Sequence, residues 1–189
     1  MNEGRFEPGP GAATARPAAA RPALASPQPA APRALYTPEQ RARRDATVWT
    51  LVQGILAPLQ FVVFAVSLAL VVRYLLTGAG YEAATASILL KTAVLYTIMV
   101  TGAIWEKVVF GQYLLAPAFF WEDVVSFGVI ALHTAYVYAV VYGAWGAGIE
   151  MAIALAAYAA YVVNAAQFVW KLRQARRAAP AALPDEVPA

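Results

Sequence analysis

Three carboxylates, Glu106, Glu122 and Asp123, lie within residues 106–123, a segment otherwise made mostly of apolar and aromatic side chains. A carboxylic acid against apolar walls keeps its proton near neutral pH and can donate it, while an ionised neighbour can accept one or stabilise positive charge. Lys107 adds one cation, and Trp105 and Trp121 flank the segment with flat faces on which a flat ligand could stack. Two further ionisable groups sit inside apolar stretches, Lys91 and the only histidine, His133. The chain has no cysteine, and a single histidine excludes a multi-histidine metal centre. No phosphate-binding glycine loop or nucleophile-elbow motif occurs. The chemistry on offer is therefore acid–base work by carboxyl groups.

The elements that must position these residues are hydrophobic helices. Of the 189 residues, 61% are hydrophobic and 13% charged, against roughly 25% charged in soluble domains. Val48 to Val72 carries no charge, Ala83 to Ile104 only Lys91, Val124 to Gly148 none and Met151 to Trp170 none. A bilayer span takes about 20 apolar residues. Backbone groups in lipid must be satisfied within the segment, which makes each stretch a helix. The expected fold is all-α, an integral membrane bundle of four transmembrane helices at about 47–76, 83–106, 121–144 and 149–172. These form one domain over 38–173.

Residues 1–37 read as a disordered tail, since eight of the 13 prolines lie between Pro8 and Pro38 in Ala- and Arg-rich sequence. Residues 174–189 read as a flexible C-terminal tail. Thr37 and Pro38 suit the cap and first position of a short basic helix over Gln40–Asp45, expected to run straight into the first span. Of the 14 Lys and Arg, seven lie at or before Arg44 and four at or after Lys171. The positive-inside rule then makes both termini cytoplasmic and turns the 106–123 segment to the cytoplasmic side. No nucleic-acid partner is expected; the bilayer itself is the first partner, and small residues at Ala152, Ala156 and Ala160 permit a homo-oligomer.

Polar residues inside the spans fall in stripes, because positions seven apart share a helix face. Gln53, Gln60 and Ser67 form one. Glu122, Ser126 and His133 form another, with Tyr136 close by. Tyr158, Tyr161, Asn164, Gln167 and Lys171 form a third. Lys91, Thr92, Tyr96, Thr97 and Thr101 are the polar residues of the second span. Two readings stand side by side: hydrogen-bond glue between helices, or a lining of a shared polar interior. For Lys91 the alternatives are snorkelling to the surface and a buried role. For His133 they are a structural hydrogen bond and a ligand contact.

The strings RRDATVWTLVQGILAPLQF (43–61), ATASILLKTAVLYTIMVTGAIWEKVVFGQYLLAPAFFWEDV (84–124), ALHTAY (131–136) and AAYAAYVVNAAQF (156–168) resemble the vinyl bacteriochlorophyllide hydratase family of phototrophic bacteria. The resemblance covers about residues 37–173. It implies a hydro-lyase that adds water across the 3-vinyl group of chlorophyllide a or 3-vinyl bacteriochlorophyllide a, giving the 3-(1-hydroxyethyl) product. It also implies a photosynthetic bacterial inner membrane, possible contact with other pigment-pathway enzymes, and no cofactor beyond the magnesium in the substrate.

Set against that reaction, Glu106 and Glu122 are the expected acid and base, with Asp123 as orienter or substitute. Trp105, Trp121, Asn164, Gln167 and Gln60 are expected substrate contacts, and Lys107 a partner for the substrate's carboxylate. His133 lies 11 residues from Glu122, about 16 Å along the axis, where an axial contact to the substrate's magnesium or a contact to the ring edge is open. A non-catalytic tetrapyrrole carrier or pigment assembly factor would use the same residues, and only turnover separates the two.

Overall fold

The computed structural model describes Met1 and residues 35–143 and 145–178. Most of the expected N-terminal tail and residues 179–189 of the C-terminal tail lie outside the described residues. Five helices are present among them: α1 (Pro38–Ala46), α2 (Val48–Thr77), α3 (Tyr81–Phe110), α4 (Phe120–Tyr142) and α5 (Ala147–Ala178). The last four are long and apolar enough to cross a bilayer. The all-α bundle of four spans is as expected, with α3 and α5 several residues longer than their uncharged stretches.

The N-terminal boundary follows its local chemistry. The Thr37 hydroxyl accepts from the Gln40 N–H at 3.2 Å, and the Gln40 side chain accepts from the Thr37 N–H at 2.9 Å. This reciprocal box leaves Pro38 at the start of α1, where its missing N–H costs nothing. The expected continuous run into the first span does not occur. Thr47 adopts extended backbone, φ −85° and ψ 138°, ending α1, and its hydroxyl caps α2 by accepting from Trp49 N–H. Nor are residues 35–37 a loose tail: Tyr36 is buried against Phe110 and Phe119.

Consecutive helices pair. α2 packs along α3 and α4 along α5, whereas α3 meets α4, and α2 meets α5, at few points. The bundle is therefore two helical hairpins laid together along a seam. Each helix buries one stripe at spacings of three and four: Gln60, Phe64, Ser67 and Val71 on α2; Ala84, Ile88, Lys91 and Leu95 on α3; Ser126, Val129, His133 and Tyr136 on α4; Met151, Ala154, Tyr158 and Tyr161 on α5. The outward faces are as apolar as the core, with Phe61, Val100, Val141 and Val163 exposed. That suits a solvent of lipid chains, where polar residues gather inside. The polar residues of α3 are the exception to the inward stripes. Lys91 and Thr92 are buried, but Tyr96 and Thr97 are exposed, Tyr96 meeting Thr134 at 2.7 Å on the outer surface.

Candidate active site

The carboxylates are brought together by the ends of two helices and the segment between them. α3 stops at Gly111, whose φ of 88° is left-handed and whose N–H bonds the Lys107 carbonyl at 3.0 Å. Glycine takes that conformation without steric cost. Glu106 thus sits one turn before the end of α3. α4 begins at Phe120, so Glu122 and Asp123 occupy its first turn, where free backbone N–H groups favour negative charge. All three carboxylates are buried.

The joining segment clamps them. Leu115 is the only non-glycine with left-handed backbone among the described residues, at φ 60°. Its N–H donates to Asp123 Oδ2 at 2.7 Å, and the next N–H, of Ala116, donates to Glu106 Oε2 at 3.2 Å. Two successive N–H groups aimed at anions form a small nest, which accounts for a strained residue at this point. Because Leu115 and Ala116 are neighbours, their N–H groups draw the Glu106 and Asp123 carboxyl groups to the same short stretch of backbone. Two carboxyl groups gathered in one buried place favour sharing a proton, since like charges near each other repel. Glu122 is bound by Lys171 of α5 in an ion pair. Its backbone carbonyl accepts from Ser126 Oγ at 2.8 Å, and Ser126 in turn accepts from Asn164 Nδ2 at 2.8 Å.

An aromatic box walls this cluster. Phe119 packs edge-on to Trp105 at 5.7 Å and to Phe110 at 5.8 Å, and stacks on Phe168 at 6.0 Å. The Lys171 ammonium lies 4.9 Å from the centre of the Phe119 ring. Tyr36 closes one side by stacking on Phe110, with the Arg44 guanidinium 4.8 Å from its ring centre. Burial pushes the Tyr36 hydroxyl up from its ordinary value, against the opposing pull of Arg44. The ring that Arg44 covers is therefore neutral. Trp105 is held in orientation by its indole N–H, which donates to Thr50 Oγ1 at 2.9 Å, and Thr50 donates to the Arg44 carbonyl at 2.6 Å.

Of the residues expected at a site, Glu106, Glu122, Asp123 and Trp105 converge here. Asn164 joins them through Ser126. Gln167 is half-buried on the same face of α5, three residues on from Asn164. Gln60 is buried on the α2 stripe, closer to the middle of the bundle. Lys107 stands apart: it is exposed, and its ammonium donates to the Gly111 carbonyl at 2.8 Å, finishing the end of α3. Trp121 faces outward, 69% exposed. His133 lies deep in the bundle with both ring nitrogens engaged, Nδ1 on the Val129 carbonyl at 2.8 Å and Nε2 on Lys91 Nζ at 3.1 Å. Lys91 is fully buried and does not snorkel.

Sequence reasoning placed Lys171 on the right stripe but did not select it for the site, because its partner Glu122 lies on another helix. The Leu115 and Ala116 amides had no side-chain signal to find them by. Phe119 and Phe168 were legible only as apolar residues.

Known proteins match the chain over most of its length. The family described as 2-vinyl bacteriochlorophyllide hydratase matches residues 36–174, which run from Tyr36 through α1 to α4 and along α5 as far as Gln174. A curated 2-vinyl bacteriochlorophyllide hydratase of Cereibacter sphaeroides is 77% identical over 144 residues, covering 76% of this chain and 89% of the relative. One of Rhodobacter capsulatus is 76% identical over 144 residues, covering 76% and 84%. No solved structure matches the chain. A buried carboxyl cluster in an aromatic box, at one end of a bundle of four spans, lies wholly within the matched region: the chain belongs to the 2-vinyl bacteriochlorophyllide hydratase family.

Proposed function

We propose that this protein hydrates the vinyl group of chlorophyllide a or 3-vinyl bacteriochlorophyllide a, and that the Glu106–Asp123 pair carries the proton. The vinyl carbon is numbered 2 in the relatives' names and 3 in the systematic numbering used here. The observation that supports the mechanism is that these two buried carboxyl groups are held by the successive N–H groups of Leu115 and Ala116. The protonated member gives its proton to the terminal vinyl carbon. The electron pair of the double bond forms the new C–H bond and leaves a cation on the internal carbon, delocalised into the macrocycle. The pair is then doubly negative and stabilises that cation, which preorganised opposite charge does well in a water-poor site. Water attacks the internal carbon and loses a proton to the pair, which returns to its starting state. One water is added and no electrons are exchanged, so the reaction calls for no cofactor.

Glu122 and Lys171 have a supporting part. Lys171 offsets the negative charge gathered at this end, and Glu122 holds Lys171 over Phe119. This differs from an acid–base pair of Glu106 and Glu122, because Glu122 is committed to a cation while Asp123 and Glu106 are held by neighbouring N–H groups of one segment. The aromatic box of Trp105, Phe110 and Phe119 offers flat faces to the macrocycle next to these groups. The distribution of Lys and Arg supports a cytoplasmic position for both termini and for this end of the bundle, in the inner membrane of a phototrophic bacterium.

The test is to incubate the purified protein, in detergent or nanodiscs, with a 3-vinyl chlorophyllide. The pigment should gain the mass of one water, and its red absorption band should move to the blue as conjugation is lost. Pigment that binds and is recovered unchanged would instead identify a carrier.

A further inference from the structure

A second cluster lies in the middle of the bundle, outside the proposed chemistry. Lys91 is fully buried, and no acidic side chain pairs with it among the described residues. Its ammonium meets His133 Nε2 at 3.1 Å and lies 4.1 Å from the centre of the Tyr161 ring and 5.4 Å from that of Tyr158. An ammonium has three donors. One histidine lone pair and ring faces leave it short of strong acceptors, and a buried cation without a counter-charge is costly.

The polar atoms between this cluster and the carboxyl end are also short of partners. Both amide atoms of Gln60 are buried without a hydrogen bond, as are Asn164 Oδ1 and Gln167 Oε1. Gln60 is 2% exposed and Asn164 8%. Buried polar groups are nearly always paired. These lie where the two hairpins meet through side chains, Lys91 on His133 and Phe64 on Tyr161, with few close backbone approaches: Gln60 on α2, Lys91 on α3, His133 on α4, Asn164 and Gln167 on α5. From Glu122 to His133 is 11 residues of α4, about 16 Å along its axis. That is of the order of a tetrapyrrole measured from one edge substituent to the opposite one.

Resting on the hydratase reading above, we infer that the macrocycle lies edge-on in the seam between the hairpins, with its vinyl group at the carboxyl end and a carbonyl or carboxylate oxygen of a distant edge bound by Lys91. Lys91 is thus a specificity residue that fixes which edge of the ring faces the acid. His133 holds it in place, anchored in turn by the Val129 carbonyl.

The test measures pigment binding by the full-length protein in nanodiscs. Three ligands are compared: the 3-vinyl chlorophyllide, the same pigment with its isocyclic-ring ketone reduced to an alcohol, and the same pigment with its propionate esterified. Lys91→Met should weaken the first by roughly tenfold to a hundredfold, the loss expected when a charged donor leaves a buried acceptor unpaired. The penalty should vanish for one of the other two, the reduced ketone or the ester, and that one names the oxygen. The wild-type protein should itself bind that analogue more weakly by a similar factor, which gives a readout independent of how the variant folds. Equal affinity of Lys91→Met for all three pigments relative to wild type, or the same penalty on all three, overturns the inference. Wild-type hydration of the vinyl pigment is the control: its absence would sink the hydratase reading, and its presence beside an inert Lys91→Met substitution would sink only this one.

Discussion

The two polar centres of the bundle are built in opposite ways. At the end formed by Glu106, Asp123, Glu122 and Lys171, three carboxylates share one cation, two backbone N–H groups and the start of a helix. In the middle, Lys91 and His133 have no carboxylate partner among the described residues and are flanked by the rings of Phe64, Tyr158 and Tyr161. The first centre is supplied with partners for each charge that a proton transfer would create or remove. The second offers Lys91 a single strong acceptor among the described residues, His133 Nε2. Chemistry needs charges that can change without unfolding their surroundings, whereas recognition needs a donor whose capacity its neighbours have not used up. A third place shows what a lone buried carboxylate does. Glu150, at the far end, simply accepts the Tyr81 hydroxyl and ties α5 to α3.

The comparison breaks first if the proton pair is wrong. Glu106→Gln and Asp123→Asn should each lower turnover by about 100- to 10,000-fold, the range for loss of general acid–base catalysis, with pigment affinity little changed. Near-normal turnover in either folded variant would remove that residue from the proton pathway. Lys171→Met comes next. It leaves Glu122 without its cation, and thermal unfolding in detergent should report a loss of about 1–3 kcal/mol, below the figure for a fully buried pair because Lys171 is partly exposed. Glu122→Gln should reduce turnover by about tenfold, clearly less than Glu106→Gln; the reverse order would return Glu122 to the role of base. The smallest effect is expected from Trp170→Leu on the outward face of α5, whose turnover should stay within about twofold of wild type and whose stability should stay within a few tenths of a kcal/mol.

Much of this was legible in the sequence because helical periodicity is a local property. The Glu122–Ser126–His133 and Tyr158–Tyr161–Asn164 stripes follow from spacing alone, and each is buried as expected. What spacing does not encode is which stripe meets which. The Lys91–His133 contact, the Lys171–Glu122 ion pair and the partnership of Glu106 with Asp123 all join different helices. The α3 stripe misled in part, since Tyr96 and Thr97 satisfy their hydroxyls on the outer face, Thr97 by donating to the Ala93 carbonyl one turn back. A threonine can face lipid when its own helix takes its proton. Tyr36 was hidden for another reason. It follows proline-rich sequence with no periodicity, and only the rings of Phe110 and Phe119 give it a place to dock.

The pairing of neighbours along the chain also bears on how the molecule is made. Each hairpin, α2 with α3 and α4 with α5, closes through a tight glycine-containing turn at Gly78–Gly80 or Gly143–Gly146, and its contacts are local in sequence. Local contacts form early because little chain entropy is lost in closing them. Each hairpin can thus enter the bilayer as a unit while synthesis continues. The seam, which needs both, is assembled last and holds the fewest contacts.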